Sequence, residues 1–345
     1  MANQHQAKRF SLKSLAVPVI QAPMAGGPST PQLAAAVSAA GGLGFLAGGY
    51  RTAAAMRTDI ETVRSQTKHP FGVNLFVPQP PVVSHDDLQR YAMSLAPDAE
   101  RFGVKLGEPK HDDDDWDGKL EALLDLAPPV VSFTFDFPES GVVESLKKRG
   151  VYVIATVTDR EEAVRALADG ADALCVQGPE AGGHRGTFKP DGPPPLVPLR
   201  GILGELSDLE VPLIGAGGIA TADHTRAALA VGAVAVQAGT AFLRADEAGT
   251  KPVHRAALAA PEHFTTTDVT RVFSGRNARG LHNEFMRRHD GDAPYGYPEI
   301  HHLTTPLRAA AAAAGEPEWL NLWAGINYRQ TMEGSAVSIL KSLAP

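Results

Sequence analysis

Short apolar runs recur along the chain, each closed by a Gly, Pro or Asn turn and followed by a stretch of helical periodicity. Eight such runs stand out: Val17–Met24, Gly44–Ala47, Phe71–Phe76, Val130–Phe135, Val151–Val157, Ala173–Gln177, Val211–Gly215 and Ala233–Gln237. They are apolar throughout rather than alternating, as expected of strands covered by helices. Between them the pattern predicts helices over Pro31–Ala40, capped by Ser29 or Thr30, over Ala53–Thr67, over Gly141–Arg149, and from Asp159 to Asp169. Strands alternating with amphipathic helices build a parallel sheet from βαβ units. Eight units predict an α/β fold, the (β/α)8 TIM barrel. A doubly wound open sheet is the competing architecture. No Gly-x-Gly-x-x-Gly follows the first strand, which argues against its dinucleotide-binding form.

Two stretches interrupt the rhythm. The segment 78–129 carries Pro78, Pro80, Pro81 and the acidic run His111–Asp117, which reads as a solvated loop rather than a cation site. The tail beyond Leu243 holds an alanine-rich helix, Leu303–Gly315, and the segment Trp319–Gly325. It is too long for one barrel helix and predicts a helical lid over the barrel mouth. The expected division is a barrel over 1–245, with the insert 78–129, and a substrate-side lid over 246–345.

Composition narrows the classes. The net charge of −7 and scattered basic residues exclude a nucleic-acid binder. Cys175 is the only cysteine, so an intrachain disulfide and a thiolate-built metal site are excluded, and its apolar flanks read as core. Residues 1–10 contain no apolar leader and no apolar run of about 18 residues occurs, so a cytoplasmic protein without a membrane partner is expected.

The chemistry concentrates where strands end. In Val176–Gly186 a strand runs into a loop whose Gly182 and Gly183 let backbone approach a ligand closely, with His184 presented beside them. Histidine exchanges a proton near neutral pH, which makes His184 the candidate catalytic residue. Its plain alternative is a histidine bonded within its own loop. In barrels of this kind the loops after strands seven and eight often hold phosphate. Here those loops are Gly215–Ile219, with Gly215, Gly217 and Gly218, and Gln237–Thr240, with Ala238 and Gly239. Thr221 and Asp223 start a helix just behind the first loop, adding an anion-favouring terminus. The absence of Gly-Lys-Ser/Thr argues against a nucleoside triphosphate. Asn74 and Gln177 bring amides to the mouth, and Ala22, Pro23, Met24 and Ala25 offer a flat surface for a planar ring. No barrel strand carries a lysine for a Schiff base, which favours flavin mononucleotide (FMN) over a sugar phosphate.

Taken together, Gln21–Pro31, Ala40–Phe45, Gly72–Asn74, Glu180–Gly186, Gly215–Ile219, Gln237–Phe242 and Asn321–Gly325 resemble the class I nitronate monooxygenases, over roughly residues 15–330. The resemblance implies an FMN enzyme that oxidises alkyl nitronates, such as propionate 3-nitronate, with O2 to a carbonyl compound and nitrite. It implies flavin ligands at Asn74, Gln177, Gly182, Gly217 and Gln237–Thr240, with Met24 and Ala25 beside the ring and His184 at the catalytic position. His184 would either hold the nitronate as a cation or abstract a proton as a neutral base, and the two roles need opposite protonation states. In the tail Tyr297, His302 of the His301–His302 pair, and Arg308 are the candidate substrate contacts, with loop packing and solvated charge as their plain alternatives. A monomer or homodimer is expected. The alternative function is an FMN-dependent reductase of quinones or enoyl thioesters using NAD(P)H, and a flavin-binding protein without turnover is a third reading. A metal-dependent hydrolase lacks paired His/Asp ligands at strand ends, so no metal is expected.

Overall fold

The computed structural model describes residues 10–345; the polar segment 1–9, read above as lacking a leader, lies outside the described residues. In chain order the elements are β1 (Val19–Gln21), α1 (Pro31–Ala39), β2 (Phe45–Ala47), α2 (Ala53–Gln66), β3 (Gly72–Phe76), α3 (His85–Arg101), α4 (Trp116–Leu126), β4 (Val130–Thr134), α5 (Ser140–Lys148) and β5 (Tyr152–Val157). The chain continues with α6 (Arg160–Ala168), β6 (Ala173–Gln177), β7 (Gly183–His184), α7 (Leu199–Glu205), β8 (Leu213–Ala216), α8 (Ala222–Leu229) and β9 (Ala233–Ala238). Beyond these come α9 (Pro252–Leu258), β10 (Thr267–Thr270), β11 (Ala278–Leu281), α10 (Glu284–His289), α11 (Glu299–Ala313) and α12 (Ala336–Leu343).

All eight predicted runs are strands of one parallel sheet, in the order β1-β9-β8-β6-β5-β4-β3-β2. The ring is completed where Gln21 donates to the Leu43 carbonyl at 2.9 Å and Leu43 returns a bond to Val19 at 3.1 Å. This is a (β/α)8 barrel. Strand parity explains the apolar runs. Ile20, Phe45, Ile154, Cys175 and Ile214 fill the barrel, while Val19, Leu46, Val153, Leu174 and Val176 pack outward on the helices. Burial pushes the Cys175 thiol up to about 12, consistent with an inert core residue. Thr30, Thr52, Asp159 and Thr221 each accept a bond from the amide three residues on, which starts the helix behind a strand.

The insert and the tail have more structure than their composition announces. Within the insert, α4 packs on α2 and α5 and takes a place in the barrel wall. The longer α3 turns Tyr91 and Leu95 into a second core with Phe273, Ile300, Leu303 and Leu307 of the tail. The tail is not purely helical: β10 pairs antiparallel with β11, and β11 with β7, placing Ala278 opposite His184. Its last helix does not lie over the mouth. It closes the wall between α8 and α1, burying Ala336, Ile339, Leu340 and Leu343 on one face. The segment between β9 and α12 lines the cavity at the strand ends, through residues such as His254, Ser274, His301, Arg308 and Trp323. No helix among the described residues is long and apolar enough to cross a membrane.

Candidate active site

The carboxyl ends of the strands surround a cavity of about 450 Å³, within the range of small-molecule and cofactor sites. Ala22, Pro23, Met24 and Ala25 form its wall after β1, Asn74 enters from β3 and Gln177 from β6. Gly182 and Gly183, then Gly217 and Gly218, then Gln237, Ala238, Gly239 and Thr240 line it from the loops, and Arg308 closes it from α11.

Three predicted residues lie elsewhere. Gly215 sits within β8 between inward-facing Ile214 and Ala216, so its face points away from the cavity, toward Ala228 and Leu203. Tyr297 stands behind the lining, with its ring edge-on to His184 at 5.8 Å and its hydroxyl donating to Tyr50 at 3.2 Å. His302 turns to the insert, where its Nε2 lies 2.8 Å from Asp112, and His301 is the histidine that reaches the cavity. Successive helix positions point about 100° apart, so only His301 shares the face of Arg308, seven residues on.

Local bonding shows what each side chain has left to offer. Asn74 Oδ1 accepts from Ser132 Oγ at 2.8 Å and Thr134 Oγ1 at 3.0 Å, which leaves its amide hydrogens for the cavity. Gln177 is a clamp: its Nε2 donates to the His184 carbonyl at 3.0 Å and its Oε1 accepts from the Gly186 amide at 2.8 Å. Among the described residues, the Gly217, Gly218 and Gly239 amides find no acceptor in the protein. Gly217 and Gly218 hold φ of +126° and +69°, conformations that glycine adopts without a Cβ penalty. The tail is stitched to these loops, for Gly325 donates to Thr240 Oγ1 at 2.9 Å and Asn327 Nδ2 to the Gly218 carbonyl at 2.7 Å.

His184 is fixed from several sides. β7 pins its backbone to β11, its Nε2 lies 2.9 Å from Ser274 Oγ, and Phe135 and Trp323 flank its ring. Among the described residues Nδ1 has no hydrogen-bond partner. Burial, with the charges of Arg276 and Arg308, lowers its pKa to about 3. Burial and Arg308 likewise bring His301 to about 2. Both imidazoles are neutral at pH 7.

The cationic partners are unusual in lacking carboxylates. Arg308 donates to Thr304 Oγ1 at 3.1 Å, Asn321 Oδ1 at 3.2 Å and the His301 carbonyl at 3.0 Å. Arg276 lies 4.1 Å from the Phe135 ring centroid and bonds Gln79 Oε1 and the Thr187 carbonyl. Burial draws both guanidiniums down to about 10, leaving them charged at neutral pH. A cavity with neutral histidines, a half-buried Arg308 and, among the described residues, no carboxylate in its lining favours an anionic ligand.

The acidic run is not simply solvated. Asp114 Oδ1 accepts from the Tyr50 amide at 3.1 Å while its other oxygen pairs with buried Lys119 at 2.7 Å, and Asp115 accepts from the Ala53 amide at 2.7 Å. Two of its members thus anchor the entry to α2, Asp114 at Tyr50 in the preceding loop and Asp115 at Ala53, the helix's first residue. Sequence reading passed over Ser274 and Tyr50 and took Asp114 only as part of a solvated acidic run. Only Asp114 carried a signal, a charge run facing a lysine five residues on.

Fold and site together define a (β/α)8-barrel enzyme working on a small molecule at the carboxyl ends of its strands. The sequence profile of the family described as "Nitronate monooxygenase" matches residues 8–345. The chain belongs to that family and is a nitronate-oxidising oxidoreductase. Among solved structures it is similar to a nitroalkane oxidase from Streptomyces ansochromogenes, at 44% identity, 96% coverage of both chains and a TM-score of 0.92. A protein of Staphylococcus saprophyticus described as "Probable nitronate monooxygenase" is 35% identical over 341 residues, 96% of this chain and 95% of the relative. FabK from Thermotoga maritima is 26% identical with a TM-score of 0.73, over 96% of this chain and 93% of that one.

Proposed function

We propose that the protein binds FMN and uses O2 to oxidise alkyl nitronates to a carbonyl compound and nitrite. The observation that carries this reading is one cavity joining unpaired backbone donors to a half-buried arginine held without an ion pair and a neutral histidine. The residues present fit the cofactor. The open amides of Gly217, Gly218 and Gly239 suit a phosphate, Asn74 offers donors to a ring edge, and Ala22–Ala25 present small side chains to a planar face. When bound, FMN supplies the acceptor for electrons withdrawn from the nitronate.

The chain's own groups do the rest. Arg308 neutralises the nitronate oxygens, a task it meets without first breaking an ion pair. His184, held by Ser274 at Nε2 and lining the cavity, is left with Nδ1 as a neutral acceptor. There it takes the α-proton of a nitroalkane that arrives un-ionised. The neutral state disfavours the alternative in which His184 grips the nitronate as a cation. Trp323, Tyr297 and Phe135 exclude water around it, which strengthens each of these interactions.

The test is to purify the protein, record its visible spectrum, add propionate 3-nitronate in air, and follow oxygen uptake and nitrite. A flavin spectrum with nitrite release is expected. A colourless protein that takes up no FMN overturns the reading, and rapid anaerobic bleaching by NADH without nitronate turnover transfers it to the reductase alternative.

A further inference from the structure

A second cavity, also of about 450 Å³, lies beside the first, and the two share Tyr50, Phe76, Phe135 and His301 in their walls. Those side chains, with Tyr297, form a closed ring of aromatic contacts. Tyr50 meets Phe76 edge-on at 5.7 Å, Phe76 meets Phe135 at 4.5 Å, and Phe135 meets Tyr297 at 5.3 Å. Tyr297 meets His301 at 6.4 Å, and His301 stacks back on Tyr50 at 4.2 Å with planes 2° apart. The Tyr297–Tyr50 hydroxyl bond crosses the ring. The ring stands next to His184, which touches both Phe135 and Tyr297.

Tyr50 is the member whose position needs most support. Its φ of +64° is a left-handed conformation that a tyrosine rarely adopts. Asp114 accepts from its amide, and Asp114 is itself held by Lys119 on α4 of the insert. Behind the ring the second cavity is bounded by Lys110, Asp112, Asp113 and Gln79.

We propose that Tyr50, locked by the insert, is the substrate-length determinant of this enzyme: the aromatic ring ends the reaction cavity, and the second cavity is space that it denies to the substrate's distal chain. The inference rests on the nitronate reading proposed above for what the reaction cavity holds. It assigns the insert a task, to hold the partition closed.

The test uses the full-length protein and the substitutions Tyr50→Gly and Tyr50→Phe. Glycine adopts the left-handed backbone freely, so its effect reports the missing ring rather than strain. The first readout is kcat/KM for the nitronates of nitroethane, 1-nitrobutane, 1-nitrohexane and 1-nitrooctane. The second is the Kd of linear carboxylates of matching length, followed by tryptophan fluorescence because Trp323 lines the cavity. In the native protein both series should stop improving beyond the butyl chain. In Tyr50→Gly they should go on improving by roughly twofold to fourfold for each added methylene, as burial of a CH2 predicts. Tyr50→Phe retains the ring and should keep the native cut-off. Parallel length profiles for native protein and Tyr50→Gly overturn the proposal, as does a Tyr50→Phe profile that follows Tyr50→Gly. Absence of nitronate turnover with a preserved carboxylate cut-off overturns the proposed function alone and leaves the partition standing.

Discussion

The protonation state of His184 yields the most decisive prediction. In the folded protein its pKa is brought to about 3 by burial and by Arg276 and Arg308. A group lowered that far from the ordinary histidine value carries almost no proton at pH 7.5. If the neutral ring is the working form, kcat/KM for a preformed nitronate should vary by no more than about twofold between pH 5.5 and 8.5, since His184 does not titrate there. A cationic working form gives a different curve, in which activity falls about tenfold for each pH unit across the whole interval. Initial rates of oxygen uptake from pre-ionised nitronate, taken before it reprotonates, distinguish the two. His184→Asn adds a second axis. The variant keeps a polar group but loses the base, so turnover of an un-ionised nitroalkane should fall by about 10²- to 10⁴-fold. Turnover of the nitronate, which needs no proton removed, should fall far less, by about tenfold at most. A tenfold-per-unit decline above pH 5.5, or equal losses on both substrates, refutes the assignment of a neutral base.

Three further outcomes follow from the same geometry. Arg308→Met should raise KM for a nitronate by roughly 10- to 100-fold, the worth of a charge-assisted bond, and an unchanged KM in steady-state titration removes Arg308 from substrate binding. Asp114→Asn should cost about 3 kcal/mol in chemical denaturation, because it strands the Lys119 ammonium in a buried site, and a loss below about 0.5 kcal/mol refutes the latch. Acid should destabilise the fold through His184, His254 and His301, whose folded values of about 3, 4 and 2 lie below the ordinary 6.5. The unfolded chain then binds protons first, so their contribution is complete above about pH 6.5 and is lost as pH falls, by about 1.4 kcal/mol for each group at pH 5.5 and about 4 kcal/mol together at most. Asp114, Asp136 and Glu162, whose carboxyls are raised by burial, act in the opposite sense at lower pH, so melting temperatures are compared between pH 7.5 and 5.5. Equal midpoints across that interval refute the argument.

The contrast between the barrel and its site shows which physical signals a sequence carries in the open. Each barrel strand buries both faces, and its apolar run and the capping Thr or Asp behind it are local, so all eight were legible. The glycine loops were legible for a related reason, since they act through backbone that no side chain obscures. Even there parity decided the detail: Gly217 and Gly218 open on the cavity, whereas Gly215, two residues earlier, is turned to the helices. The tail resists local reading because its side chains arrive by folding back. Whether His301 or His302 enters the cavity is a matter of one helical step: Ile300, Leu303 and Leu307 mark the buried face of the helix, and the two histidines lie on either flank of it. The last helix is the exception that proves legible after the fact: Ala336, Ile339, Leu340 and Leu343 repeat at helical spacing, and a strand as buried as β9 requires a helix to cover it. Tyr50 lies at the other extreme. Its amide is held by a carboxylate 64 residues away and its hydroxyl by the Tyr297 hydroxyl 247 residues away, and neither partner leaves a mark near Tyr50 in the chain. Residues that bind through the backbone are therefore written locally. Those that bound the substrate are written across the fold, which is why the insert and the tail, the least regular parts of the sequence, meet at the one wall beside His184.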